Sequence, residues 1–248
     1  MKRFVRDVAA AMLLFGAMGF AQAFVVVAPD QPVAEKSQLE LSQEWWRWAL
    51  GAPNSGNPLL DEDGVFAQVG NNGPVFFVAG SIFGEPTVRT FAVPAGRPIF
   101  FPVINNLFIE TPPPECAGSV ACALARVSPF IDDATALTAT LDGLNLLAAG
   151  ASGFRQTSSA FFSVALPDDN LFGAPKGSYD AVSDGYWVAV EGLSAGPHTL
   201  IFGATSGGFL VDVTANLRVP EPGTLGLVLL GALAATGRRL RFGIGATA

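Results

Sequence analysis

Phe209-Leu210-Val211-Asp212-Val213-Thr214-Ala215-Asn216-Leu217-Arg218-Val219 is the segment that decides the fold class. Phe209, Val211, Val213, Ala215, Leu217 and Val219 form one apolar set, and the residues between them are mostly polar. A period of two held over eleven residues describes a strand with one buried face. Upstream lie shorter segments rich in Val, Phe, Ile and Thr, at 75–79, 88–93, 99–104, 137–141, 160–166, 186–190 and 199–202, each bounded by Gly, Pro, Asn or Asp. Asp142-Gly143, between Leu141 and Leu144, is the preferred two-residue hairpin turn. The chain has 28 Gly and 18 Pro in 248 residues, well above the usual combined share of about 12%, which suits many turns. Regularly spaced strands with no long helices between them predict a mainly β chain, an antiparallel β-sandwich of jelly-roll or immunoglobulin-like type. No internal repeat is visible, which argues against a solenoid.

One helix stands ahead of the strands. Leu41, Trp45, Trp48 and Ala49 recur at three- and four-residue steps, Ser37 is placed to cap with Glu40, and Gly51 and Pro53 end the run. This amphipathic helix is expected to pack at one end of the sandwich. A weaker helical pattern covers 119–126.

Mean hydropathy is +0.42 and half of the residues are hydrophobic, yet no run reaches the ~20 consecutive apolar residues of a spanning helix. Much of the excess sits at the two ends. Lys2, Arg3 and Arg6 precede an almost unbroken apolar stretch at 8–20, followed by Ala21-Gln22-Ala23, a small-x-small cleavage site. Residues 1–23 therefore read as a secretory signal handled by the Sec translocon and signal peptidase, with a mature N-terminus at Phe24. At the other end Pro220-Glu221-Pro222 is followed by an apolar segment at 224–236 and by Arg238, Arg239 and Arg241. Prolines flanking Glu221 keep that stretch extended. The arginines stay cytoplasmic by the positive-inside rule, which leaves the folded part on the other side of the membrane that the C-terminal hydrophobic helix enters. Between the ends, residues 24–219 carry 19 acidic and 8 basic side chains, a net charge of −11. Such acidity argues against nucleic-acid partners.

The C-terminal order of Pro-Glu-Pro motif, short hydrophobic helix and Arg cluster resembles the PEP-CTERM sorting signal of Gram-negative bacteria. The resemblance covers about the last thirty residues. It implies transient inner-membrane anchoring through the C-terminal helix and processing near Pro220 to Pro222 by an exosortase, followed by release or attachment at the cell surface. In the core, Trp46-Arg47-Trp48 with Asn57-Pro58-Leu59-Leu60-Asp61, the stretch from Val93-Pro94 to Phe101-Pro102, and Gly185-Tyr186-Trp187 ahead of Gly196-Pro197-His198 resemble a widespread family of uncharacterised secreted bacterial proteins, a likeness that brings no activity with it. The expected organisation is a signal peptide at 1–23, an N-terminal segment with the amphipathic helix at 24–56, a β-sandwich domain at 57–219 and a sorting signal at 220–248.

Candidate chemistry is sparse. Cys116 and Cys122 are the two cysteines, and in an exported chain an even pair reads as a disulfide, with free thiols and a metal site as alternatives. His198 is the sole histidine, so multi-histidine zinc sites are excluded. It suits a loop-holding hydrogen-bond role better than a triad, because no nucleophile elbow is present. Asp61 and Asp63 are candidate calcium ligands with only part of the required spacing, and no cofactor is expected. Trp45, Trp46 and Trp187 are candidates for stacking on the sugars of an exopolysaccharide, against the alternative that they pack helix on sheet. Three functions are open at this point: a non-enzymatic surface or extracellular-matrix protein, a carbohydrate-binding module of that matrix, and a carboxylate-based glycoside hydrolase.

Overall fold

In the computed structural model the alternating segment forms a strand over its whole predicted span, Phe209–Val219. The structure describes residues 24–112 and 114–221. The signal peptide, Pro222, the sorting helix and the three terminal arginines lie outside them. Within the described residues the elements in chain order are β1 (Val25–Val26), α1 (Gln38–Gly51), β2 (Phe76–Phe77), β3 (Thr87–Ala92), β4 (Ile99–Ile109), α2 (Val120–Asp132), β5 (Thr135–Leu141), β6 (Leu144–Asn145), β7 (Arg155–Thr157), β8 (Phe162–Leu166), β9 (Gly177–Glu191), β10 (Gly196–Ser206) and β11 (Phe209–Val219).

The strands form two sheets. The outer sheet runs β3-β11-β10-β5-β6, and the central sheet runs β1-β9-β4-β2, with β7 and β8 also paired to β9. This is a mainly β, two-sheet architecture. Most pairs are antiparallel as expected, but β3 joins β11 in parallel and β2 joins β4 in parallel. The chain passes from one sheet to the other between β2, β3 and β4, which brings those strands back in the same direction. Asp142 and Gly143 both take positive φ, 52° and 81°, the geometry a tight β5–β6 hairpin requires.

Three apolar layers result. Phe101, Val188 and Val190 of the central sheet meet Phe202, Val213 and Leu217 of the outer sheet in the main core. The opposite face of the central sheet, with Phe100, Trp187 and Ala189, is covered by α1 through Leu41, Trp45 and Ala49. The helix thus lies across a sheet face and not at one end of the sandwich, a correction to the sequence-based placement. Its start follows the expected capping box: Ser37 Oγ accepts the Glu40 N–H at 3.2 Å, and the Glu40 carboxylate accepts the Ser37 N–H at 2.8 Å.

The second helix runs farther than its pattern predicts, through Pro129 to Asp132, and its final turn places Ile131 in the main core. Ala123 and Val127 pack on Val182 of β9, so α2 covers the part of the central sheet that the shorter outer sheet leaves bare. A bulge in β4 between Pro102 and Ile104 lets both Val103 and Ile104 face the main core. Beyond it, Leu107 and Ile109 turn toward the α1 side. β2 pairs only with Ile99 and Phe100, so among the described residues the C-terminal half of β4 has a strand on one side alone.

Candidate functional site

The indole rings singled out as sugar-stacking candidates are not available at the surface. Trp45 and Trp187 are 0% exposed and Trp46 is 8% exposed. Trp187 stacks on Phe100 at 5.4 Å between centroids and meets Trp45 edge-on at 5.3 Å, while Trp45 Nε1 donates to the Val78 carbonyl at 2.9 Å. Rings on different sides of one helix are all covered because the chain closes over its flanks. Trp48 donates to Val69 O, and Asn57 donates to the carbonyls of Ala49 and Ala52.

The calcium candidates have other work. Asp61 is 2% exposed, and its carboxylate accepts the N–H groups of Gly64 at 2.8 Å and Phe66 at 2.9 Å. Asp63 accepts the Val65 N–H. These are turn-forming bonds that occupy the oxygens a cation would need. The buried Arg89 donates to the backbone carbonyl of Asp61 as well as to Ala79 and Gly80. Burial pushes its guanidinium below the usual range, opposed by the Asp61 charge. Among the described residues no three His, Cys, Asp or Glu side chains gather in a metal-binding group.

A buried carboxylate that the sequence reading did not select is Asp184 in β9, 0% exposed. Arg155 of β7 donates to both its oxygens, at 2.9 and 2.6 Å, Ser128 of α2 at 2.7 Å and Thr157 at 2.9 Å. Burial alone would raise this carboxyl, but the bonds from Arg155, Ser128 and Thr157, with the guanidinium charge, outweigh it and hold the group below the usual aspartate range. The bonds to Asp184 and to Asp132, the latter at 2.7 Å, raise Arg155 against the effect of its burial. Asp184, hydrogen-bonded at both oxygens, and the exposed Asp132, paired at one, share a single arginine and make a strut between β7, β9 and α2.

His198 Nδ1 lies 2.6 Å from Asp142 Oδ2, and Nε2 lies 2.9 Å from the Ser194 carbonyl. The imidazole ties the β5–β6 turn to the start of β10, the loop-holding role expected of it. Ser194 Oγ is 3.3 Å from Nε2, but that nitrogen already faces the carbonyl of the same serine, so no activated nucleophile is formed. Cys116 and Cys122 are joined in a disulfide. The Glu110 carboxylate accepts the Cys116 N–H at 3.0 Å, which fixes the loop against the end of β4.

What the fold does assemble is a groove of about 460 Å³ beside the unpaired edge of β4. Trp46 and Leu50 of α1, with Leu59, Leu171 and Phe172 from flanking loops, form one wall. Ser81, Ile82, Phe130, Phe209 and Val211 form the other, and Asn105, Asn106 and Leu107 form the floor. Phe172 and Ile82 are 51% and 43% exposed. No lining residue carries a charge. Trp46 Nε1 and Asn105 Nδ2 are buried without a hydrogen-bond partner. Of these residues only Trp46 was marked by sequence reading; the signal that points to the site is the pair Asn105-Asn106 interrupting an otherwise apolar strand.

Comparison with known proteins adds no family. No family model and no curated protein matches the chain. One solved structure that aligns, described as the solution structure of amebosin, shares 10% identity over 59% of this chain and 100% of that chain, at a TM-score of 0.19. A likeness at that level carries no argument about fold or function.

Proposed function

We propose that the chain is an exported, exosortase-processed protein of a Gram-negative bacterium, delivered to the cell surface or extracellular matrix, with a non-enzymatic β-sandwich domain. The observation that carries this reading is the place of the sorting motif. β11 ends at Val219, and Pro220 and Glu221 are exposed immediately after it. They leave the sheet beside a broad hollow of about 700 Å³ to which Pro220 contributes. A processing enzyme reaches an extended, exposed segment of this kind without unfolding the domain.

Two features support the reading from elsewhere in the chain. Phe24, the first residue after the expected signal cleavage, packs against the main core, and Val25 pairs with Glu191, so the new N-terminus is built into the fold. The Cys116–Cys122 bond suits an oxidising compartment. The absence of an enzymatic role in this proposal rests on the engaged states of His198, Asp184 and Asp61 described above.

Intact-mass analysis of the protein recovered from cells with an active exosortase is expected to give an N-terminus at Phe24 and loss of the chain beyond the Pro220–Pro222 region. Recovery of an unprocessed C-terminus from such cells overturns the sorting assignment.

A further inference from the structure

We infer that the groove beside β4 is a binding site for a small, uncharged, largely apolar molecule that carries a hydrogen-bond-accepting oxygen. This goes beyond the sorting reading and does not depend on it. The groove has the volume and the apolar, aromatic lining of a ligand pocket, about 460 Å³ with Trp46, Phe130, Phe172 and Phe209 among its walls. A charged ligand would be desolvated there with nothing to pair with, since no charged side chain lines the site. An anion would in addition enter against the domain's net charge of −11.

The unpaired buried polar atoms of the site are both donors. Trp46 Nε1 and Asn105 Nδ2 are buried without an acceptor, a condition that disfavours the empty groove. Asn105 is the group placed to use this: the terminal amide torsion is soft, and its rotation presents the NH₂ to a ligand oxygen in the groove. A sugar, which demands several donors and acceptors at once, fits this wall poorly. An added peptide strand is disfavoured too, because the Leu107 N–H at the floor is already taken by Asn106 Oδ1 at 2.9 Å. The exposed rings and side chains of Phe172 and Ile82 give an apolar ligand its entrance.

The test uses Nile red, a neutral dye with a carbonyl acceptor, titrated into the purified full-length protein. Enhanced, blue-shifted emission that saturates at one dye per chain is expected. Leu171→Trp, which fills the groove, is expected to weaken that binding about tenfold or more while a cooperative melt is retained. If Leu171→Trp does not fold, Ile82→Trp at the exposed rim takes its place. Asn105→Leu is expected to weaken Nile red by about fivefold, one hydrogen bond's worth, and to leave N-phenyl-1-naphthylamine, which has no oxygen acceptor, unchanged. Absence of saturable binding, or equal binding by a folded groove-filling variant, overturns the site. Displacement of the dye by neutral oligosaccharides overturns the ligand class. Equal losses for both dyes in Asn105→Leu overturn the role of the amide.

Discussion

The two sheets are built from similar residues but live under different conditions. The central sheet is covered on one face by the outer sheet and α2 and on the other by α1. The outer sheet keeps one face in water. Across that wet face the register aligns Val88, Thr214, Ile201, Thr140 and Asn145 in one row, and Val88 is 60% exposed. In the central sheet Ser183 and Asp184 are instead 0% exposed. A strand with one wet face tolerates polar residues freely. A strand with two dry faces accepts them only where partners have been supplied, as Arg155, Ser128 and Thr157 supply them to Asp184.

That contrast orders the expected effects of mutation. Trp187→Ala empties the space between Trp45 and Phe100 on the helix side of the central sheet, and is expected to cost about 3–5 kcal/mol in urea denaturation; a loss below about 1 kcal/mol would mean that α1 is not held by this contact. Asp184→Asn is expected to cost about 2–3 kcal/mol, less than a fully enclosed pair would, because the Arg155 side chain is 28% exposed. The variant also carries a pH signature. Since the folded-state carboxyl lies below the usual aspartate range, its stabilisation is complete above the unfolded-state value and disappears as pH falls through the depressed folded-state value. The wild type therefore loses more stability than Asp184→Asn between pH 5 and the acid limit, and parallel curves would remove the strut from the account. At the small end, Thr214→Ala on the wet face of the outer sheet is expected to stay within about 0.5 kcal/mol of wild type. A larger effect would show that this face is not solvent-facing in the native protein.

The same contrast explains what could be read in advance. β11 was legible to the residue because its wet face prints a period of two, and α1 was legible because Ser37 and Glu40 form a self-contained cap. β9 was read only over 186–190, although it spans Gly177–Glu191. Its Ser178, Asp180, Ser183 and Asp184 have the composition of a turn, and the arginine that neutralises Asp184 stands 29 residues away. β4 was likewise cut short at Asn105-Asn106. The parallel pairs left no trace, since strand periodicity is the same whichever way a neighbour runs. The groove was nearly invisible for a different reason: it is made by α1, the floor strand, the end of α2, the β10–β11 hairpin and separate loops, and the pattern of each element reports its own packing, not where the others meet it. Trp46 misled because a ring outside a helix's main stripe was free to be covered by flanking loops, and Trp45 and Trp187 because they meet each other between α1 and the central sheet.

The placement of β11 has a mechanical consequence. It lies between β10 and β3, with eleven residue pairs to the former and six to the latter, and it is the strand from which the C-terminal segment departs. Hydrogen bonds of an antiparallel pair stand perpendicular to the strands. Tension applied through the C-terminus therefore acts along β11 and loads its antiparallel ladder with β10 in shear, many bonds together. A pull on that end is shared along the whole length of the β10–β11 ladder.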